Sequence, residues 1–481
     1  SRVWPRMVLR KELVVVRRKR LSNPAAQTAH DRPSDLQEGD KAMLEVIHPN
    51  AGGIDIGAQE LFVAVPAGRA EQEVRRFGTY TADVHELAKW LVTCGVDTVA
   101  MESTGVYWIP VYVILGEYGI DVQLVNAKHV KNVPGRKSDV KDCIWLRDLH
   151  SIGLLRGSFI PSDEIVALRS YLRHREALIE QRSVHVNHMH KALVQMNVRL
   201  DEVLTDIAGV TGMAIMRSIA AGERDPQALL KHRNKQCKAT PERFVKALTA
   251  HYRPEHLFTL KQSLTLYDVY SEQLQQCDKQ IEAHVQTVRN DDVPPPDTPL
   301  GTSRKSNTHS KNAPGYDVRG ELYRLTGGVD LTDIDGLHAS TAQVIVSEIG
   351  LDMSKWKTAG HFASWLGLAP KNDITGGKVK RSRTLPGNRR ASQAFRMAAQ
   401  SLLKSDSALG AFARHMRARK GAVQAIVAVA HKLARICYTM LRDKTPYKTA
   451  SAADYDQANR DRERKSLERR AARLGLALVH V

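Results

Sequence analysis

Cysteine is scarce. The 481 residues hold five, Cys94, Cys143, Cys237, Cys277 and Cys437, and none forms a CxxC pair. That spacing suggests neither a zinc site nor a disulfide framework, and it suits a reducing, cytoplasmic compartment. Long apolar runs are missing too. No stretch reaches the roughly eighteen residues that a membrane-spanning helix needs, so no membrane partner is expected. Acidic residues are in deficit, 52 Asp and Glu against 71 Lys and Arg, which leaves a net charge of +19. So large an excess favours a polyanionic partner, nucleic acid before membrane surface. Apolar side chains are plentiful at 42% of the chain, enough for two or three domain cores.

Residues 1–46 read as a disordered basic arm, or as upstream sequence translated in frame with Met43. Arg10, Lys11, Arg17, Arg18, Lys19 and Arg20 flank an apolar run too short for a signal-peptide core. Residues 47–160 read as α/β. Gly53 to Gly57, Leu61 to Val65 and Val74 to Tyr80 give three strands in a meander. A helix with Val84, Leu87, Ala88 and Leu91 on one face follows, then a strand from Thr98 into Glu102. A helix closed by Gly119 and a strand from Asp121 to Val125 complete the ribonuclease-H-like order.

Residues 161–290 carry two long amphipathic helices, over 163–199 and 257–288, which suggests an antiparallel coiled-coil arm. His185, His188 and His190 on the first of them lack a matched carboxylate and read as surface residues. Residues 291–320, with Pro294, Pro295 and Pro296, read as a linker. Residues 321–445 read as a small, mostly helical domain and 446–481 as a charged tail. The fold class expected is therefore α/β plus α.

One pattern occurs twice, as Leu204 to Val210 and as Leu331 to Leu337, each before an apolar helix. It resembles the start of a helix-hairpin-helix, in which a glycine turn offers backbone N–H groups to a phosphate. A plain packing corner fits the same residues.

Four carboxylates carry the chemistry. Asp55 sits inside an apolar strand, where an unpaired charge is costly. Glu102 ends a second strand. Asp139 and Asp142 lie three apart at the start of a predicted helix, on one face. If strands and helix meet, the four acids repel one another unless a divalent cation holds them, and hard oxygen ligands suit Mg²⁺ or Mn²⁺. Two such ions can activate an attacking oxygen and stabilise a leaving one at a phosphodiester. Lys128, Lys131, Arg136 and Lys137 stand nearby in sequence to hold a phosphate backbone.

A second signal lies further on. Thr375 precedes Gly376 and Gly377, and Lys378, Lys380, Arg381, Arg383, Arg389 and Arg390 follow. A hydroxyl beside two glycines among cations reads as a phosphate-binding or phosphate-attacking loop. A basic surface loop fits the same spacing.

The segments Gly53-Ile54-Asp55-Ile56-Gly57, Met101 to Trp108 and Lys137 to Asp142, together with Phe362 to Ala399, resemble the motifs of the insertion-sequence transposases of the IS110 family. The resemblance runs over roughly residues 47–442. It implies a RuvC-like domain in which Asp55, Glu102, Asp139 and Asp142 bind metal, a coiled-coil arm, and a carboxy-terminal transposase domain whose hydroxyl attacks DNA. It also implies a structured guide RNA and assembly as a dimer or tetramer. The family's usual nucleophile is a serine. Here Thr375 occupies that place, and Ser382 is the alternative hydroxyl. Rival readings are a RuvC-like nuclease using water, an inactive nucleic-acid-binding relic, and an actin-like sugar kinase. The kinase would need a second ribonuclease-H-like half, which the helical remainder of the chain does not offer.

Overall fold

A computed structural model describes residues 45–103, 105–126, 139–293 and 311–475, except the Asp139 side chain. The chain divides into two compact units, Ser1–Ser158 and Phe159–Val481.

The first unit is built on a five-stranded sheet with the order β3-β2-β1-β4-β5. Strands β1 (Ala51–Ile56), β2 (Glu60–Ala64) and β3 (Val74–Gly78) form an antiparallel meander. Strands β4 (Thr98–Glu102) and β5 (Asp121–Val125) lie parallel to β1 on its other side. Helix α1 (Thr81–Thr93) links β3 to β4, and α2 (Trp108–Glu117) links β4 to β5. Their inner faces bury Leu87, Leu91 and Leu115. Helix α3 (Asp139–Ser151) packs on β1, β2 and β4. With helices on both sides, β4 is buried along its whole length, which explains its unbroken apolar run. This is the strand and helix order expected of the ribonuclease-H-like domain.

The described residues of the second unit are helical apart from one hairpin. Helix α4 (Asp163–Gln195) and helix α8 (Pro254–Val288) are its longest elements. They run antiparallel: the Glu164 carbonyl lies 2.8 Å from His284 Nε2, Arg175 Nε donates to Asp278 Oδ1 at 2.5 Å, and Arg182 donates to Ser271 Oγ at 3.4 Å. Between them in sequence come α5 (Val210–Ala221), α6 (Pro226–Leu230) and α7 (Pro241–Leu248). Both α6 and α7 open with proline behind a capping side chain, Asp225 or Thr240. These three helices share a core with one end of the long pair, around Leu193, Met216, Phe244 and Leu260.

The other end of the pair joins a larger core. Ile165, Leu168, Ile281 and Val285 pack with α9 (Val318–Leu325), α10 (Ala339–Ile349), α11 (Ala359–Trp365), α12 (Arg389–Ser401), α13 (Ala408–Lys420) and α14 (Ala422–Asp443). The long helices and the carboxy-terminal region are thus one folded body. A last helix, α15 (Ala452–Arg473), packs on α13 and carries the charged tail. Sequence reading gave 321–445 as mostly helical, yet β6 (Pro370–Thr375) and β7 (Lys378–Thr384) pair there as an antiparallel hairpin. No helix among the described residues is long and apolar enough to cross a membrane.

Candidate active site

Asp55 and Glu102 are brought together by strand register. The parallel pairing of β1 with β4 sets Gly53 beside Ala100 and Ile54 beside Met101, and Asp55 and Glu102 are the next residues of each strand. Side chains alternate along a strand, so Asp55 shares the face of Gly53 and Glu102 that of Ala100. Both are the face that α3 covers. Ala100 packs with Leu146 of α3, and a Cβ on Gly53 would overlap the Cys143 carbonyl oxygen and the Arg147 backbone nitrogen. Glycine at position 53 therefore lets α3 lie directly on β1.

The direction of α3 places the remaining acids. Near its carboxyl end, His150 Nε2 lies 2.9 Å from Thr98 Oγ1 at the start of β4. Near its amino end, Asp55 is close enough to Cys143 for its charge to act on the thiol. Burial first, and that neighbouring carboxylate with it, push the Cys143 thiol up to about 12, so it stays a neutral packing group. Helix α3 thus runs antiparallel to β1 and β4, and its first turn, with Asp139 and Asp142, stands at their carboxyl ends. Asp142 precedes Leu146 by one helical turn on the same row. Glu102 is buried, while Asp55 and Asp142 are half-buried.

Among the described residues, no group of three or more His, Cys, Asp or Glu side chains is gathered tightly enough to hold a metal ion. The Asp139 side chain lies outside the described residues. The donor set at this edge of the sheet, carboxylate oxygens alone, nonetheless has the hardness that a divalent cation of the Mg²⁺ type requires. The expected phosphate contacts Lys128, Lys131, Arg136 and Lys137 lie outside the described residues.

Thr375 lies in the second unit, at the tip of the β6–β7 hairpin. It pairs with Lys378 across the two-residue turn Gly376-Gly377, whose φ angles are 56° and 75°. Two positive φ values in a two-residue loop match the twist of the flanking strands, and glycine adopts them without strain. Lys371, Asp373 and Thr375 alternate onto one face, and their partners Arg383, Arg381 and Lys378 share it. The register shifts between Asp373 and Ile374, with Lys380 the extra residue of β7. Ser382 pairs with Asn372 and so points to the opposite face from Thr375. Both strands are exposed almost throughout. Arg389 and Arg390 belong instead to the start of α12, where Arg390 pairs with Glu176.

The hairpin itself was missed in the sequence. Its signal was present: two glycines between runs that can alternate, Lys371 to Thr375 and Lys378 to Thr384. Basic residues on both faces hid the alternation.

Two families match this chain. Residues 52–198 match the DEDD transposases of IS110, and residues 330–414 match the family described as transposase IS116/IS110/IS902. The first match takes in Asp55, Glu102, Asp139 and Asp142, and the second takes in Thr375. A Streptomyces coelicolor protein described as an uncharacterized 43.6 kDa protein of insertion element IS110 is 31% identical over 130 residues. That stretch is 27% of this chain and 32% of the relative, so the chain spans about a third of the relative's length.

Proposed function

We propose that this chain, which carries both matched domains of the IS110 transposases and belongs to that family, cleaves DNA and joins it to new ends by metal-dependent transesterification. The observation that carries the reading is the parallel register that brings Asp55 and Glu102 side by side at the edge where the first turn of α3 stands.

Asp55, Glu102, Asp139 and Asp142 would hold a divalent cation, Mg²⁺ or Mn²⁺. When bound, such an ion activates an attacking oxygen and stabilises a leaving one. Thr375 supplies the attacking hydroxyl. Its Oγ1 loses its proton to solvent and forms a bond to a DNA phosphorus as the phosphorus–oxygen bond to one strand end breaks, and the oxygen of that freed end takes up a proton from solvent to become a hydroxyl. One phosphoester replaces another, so a freed strand end can reverse the exchange without an energy source. Lys378, Lys380, Arg381 and Arg383 hold the phosphate and stabilise charge on its oxygens. The methyl group that threonine adds to serine slows attack by crowding and leaves the chemistry unchanged.

The substrate is DNA. A structured RNA that selects it and a homo-oligomeric assembly accompany the family reading, as does the view of α4 and α8 as a coiled-coil arm. A suicide DNA substrate tests the proposal. Wild-type chain in Mg²⁺ is expected to retain DNA covalently through denaturation, and Thr375→Ala and Asp55→Asn are expected not to. Cleavage without any adduct would sink the threonine and leave a nuclease that uses water.

A further inference from the structure

A cleft of about 860 Å³ opens in the second unit where the hairpin meets the helical body. Leu385, Pro386 and Gly387, the residues that leave β7, form one part of its lining. The first turn of α10 adds Ser340 and Thr341, and one face of α12 adds Arg389, Arg390 and Arg396. Glu176 is the one carboxylate in that lining. Asp55, Glu102, Asp142 and Thr375 take no part in it.

The electrostatics are unbalanced. Arg390 pairs with Glu176, while Arg396 Nε is buried and has no hydrogen-bond partner. Burial, and then repulsion from Arg173, hold the Arg390 guanidinium below its ordinary range. Glu348, which lines an adjoining pocket with Arg390, is already committed. Arg173 donates to its two carboxylate oxygens at 3.0 and 2.9 Å, and Asn388 Nδ2 donates to it at 3.3 Å. Asn388 Oδ1 in turn accepts from the Ala391 backbone at 3.0 Å, which ties the first turn of α12 to α10. Among the described residues, Arg390 alone of the three is held by an ion pair, and the cleft lining carries three arginines against one carboxylate. Apolar groups such as Val344, Leu366 and Met397 line the same cleft and offer surface for sugar rings.

We infer that this cleft binds the sugar–phosphate backbone of a polynucleotide strand, with Arg389 and Arg396 on its phosphates and Glu176 competing with it for Arg390. Because Leu385 to Gly387 follow directly on β7, such a strand would continue along the cationic hairpin toward Thr375. That last link rests on the proposed function, whereas the binding does not.

The test is fluorescence anisotropy on the full chain, with labelled DNA and RNA strands of one sequence, across a salt series. Arg389→Gln and Arg396→Gln are each expected to weaken binding about 3- to 10-fold and to lower the slope of log K against log salt by about one. Glu176→Gln is expected to tighten binding by a similar factor, a sign that general loss of structure cannot produce. Effects on DNA, on RNA or on both support the cleft and name its polymer. Unchanged affinity and slope in all three variants, with unchanged thermal midpoints, overturn it. So does displacement of the labelled strand by millimolar inorganic phosphate at constant ionic strength, because that marks a site for an isolated anion. Binding is read here without cleavage, so an inert Thr375 would leave the result standing.

Discussion

At the scale of residues, one glycine does more for the acidic site than its chemistry suggests. Gly53 leaves room for the backbone of α3, and that contact sets the distance between Asp55 and the helix that carries Asp142. Gly53→Ala introduces a methyl group where backbone already sits. Backbone cannot rotate away as a side chain can, so the helix must shift. Overpacking of this kind costs about 1–3 kcal/mol. The variant is expected to unfold at lower temperature and to lose most DNA cleavage, although no acid has changed. Full cleavage with a wild-type melting temperature would show that α3 does not depend on this contact.

At the scale of elements, the β6–β7 hairpin stands out because so little holds it. It is a two-stranded ribbon, exposed almost throughout, and such ribbons are marginal in isolation. Its shape therefore depends on its turn. Gly376→Val and Gly377→Val each force a side chain into the left-handed region at about 1–2 kcal/mol. The ribbon frays without disturbing the buried helices beneath it. Circular dichroism and the thermal midpoint are expected to stay as in wild type while covalent adduct formation falls at least tenfold. A parallel fall in thermal stability would mean that the hairpin is part of the core after all.

At the scale of the whole molecule, the two units have separate cores. In the first, Leu87, Leu115 and Met101 are buried around the sheet. In the second, the pair Arg175–Asp278 lies buried between α4 and α8 within the helical body. Removing one member of a buried ion pair strands the other and costs about 3–5 kcal/mol. Calorimetry of the full chain is expected to resolve two transitions. Asp278→Ala should lower one of them and Gly53→Ala the other, because distant changes act independently. A single transition that both variants lower together would show that the units unfold as one.

The sequence by itself determined whatever depends on local spacing. Alternation and helical period gave the strands and helices of residues 47–160 in their observed order, and the two long helices as well. The costly position of Asp55 in an apolar strand marked it before any fold was known. Tertiary structure decided what depends on register and on close approach. That Asp55 and Glu102 are neighbours follows from a parallel pairing of residues 47 positions apart, which no local pattern encodes. Thr375 read as part of a loop because charges on both faces of its ribbon masked the alternation. The cleft of Arg389, Arg390 and Arg396 draws its walls from α4, α10 and α12, which meet only when the helical core closes around them.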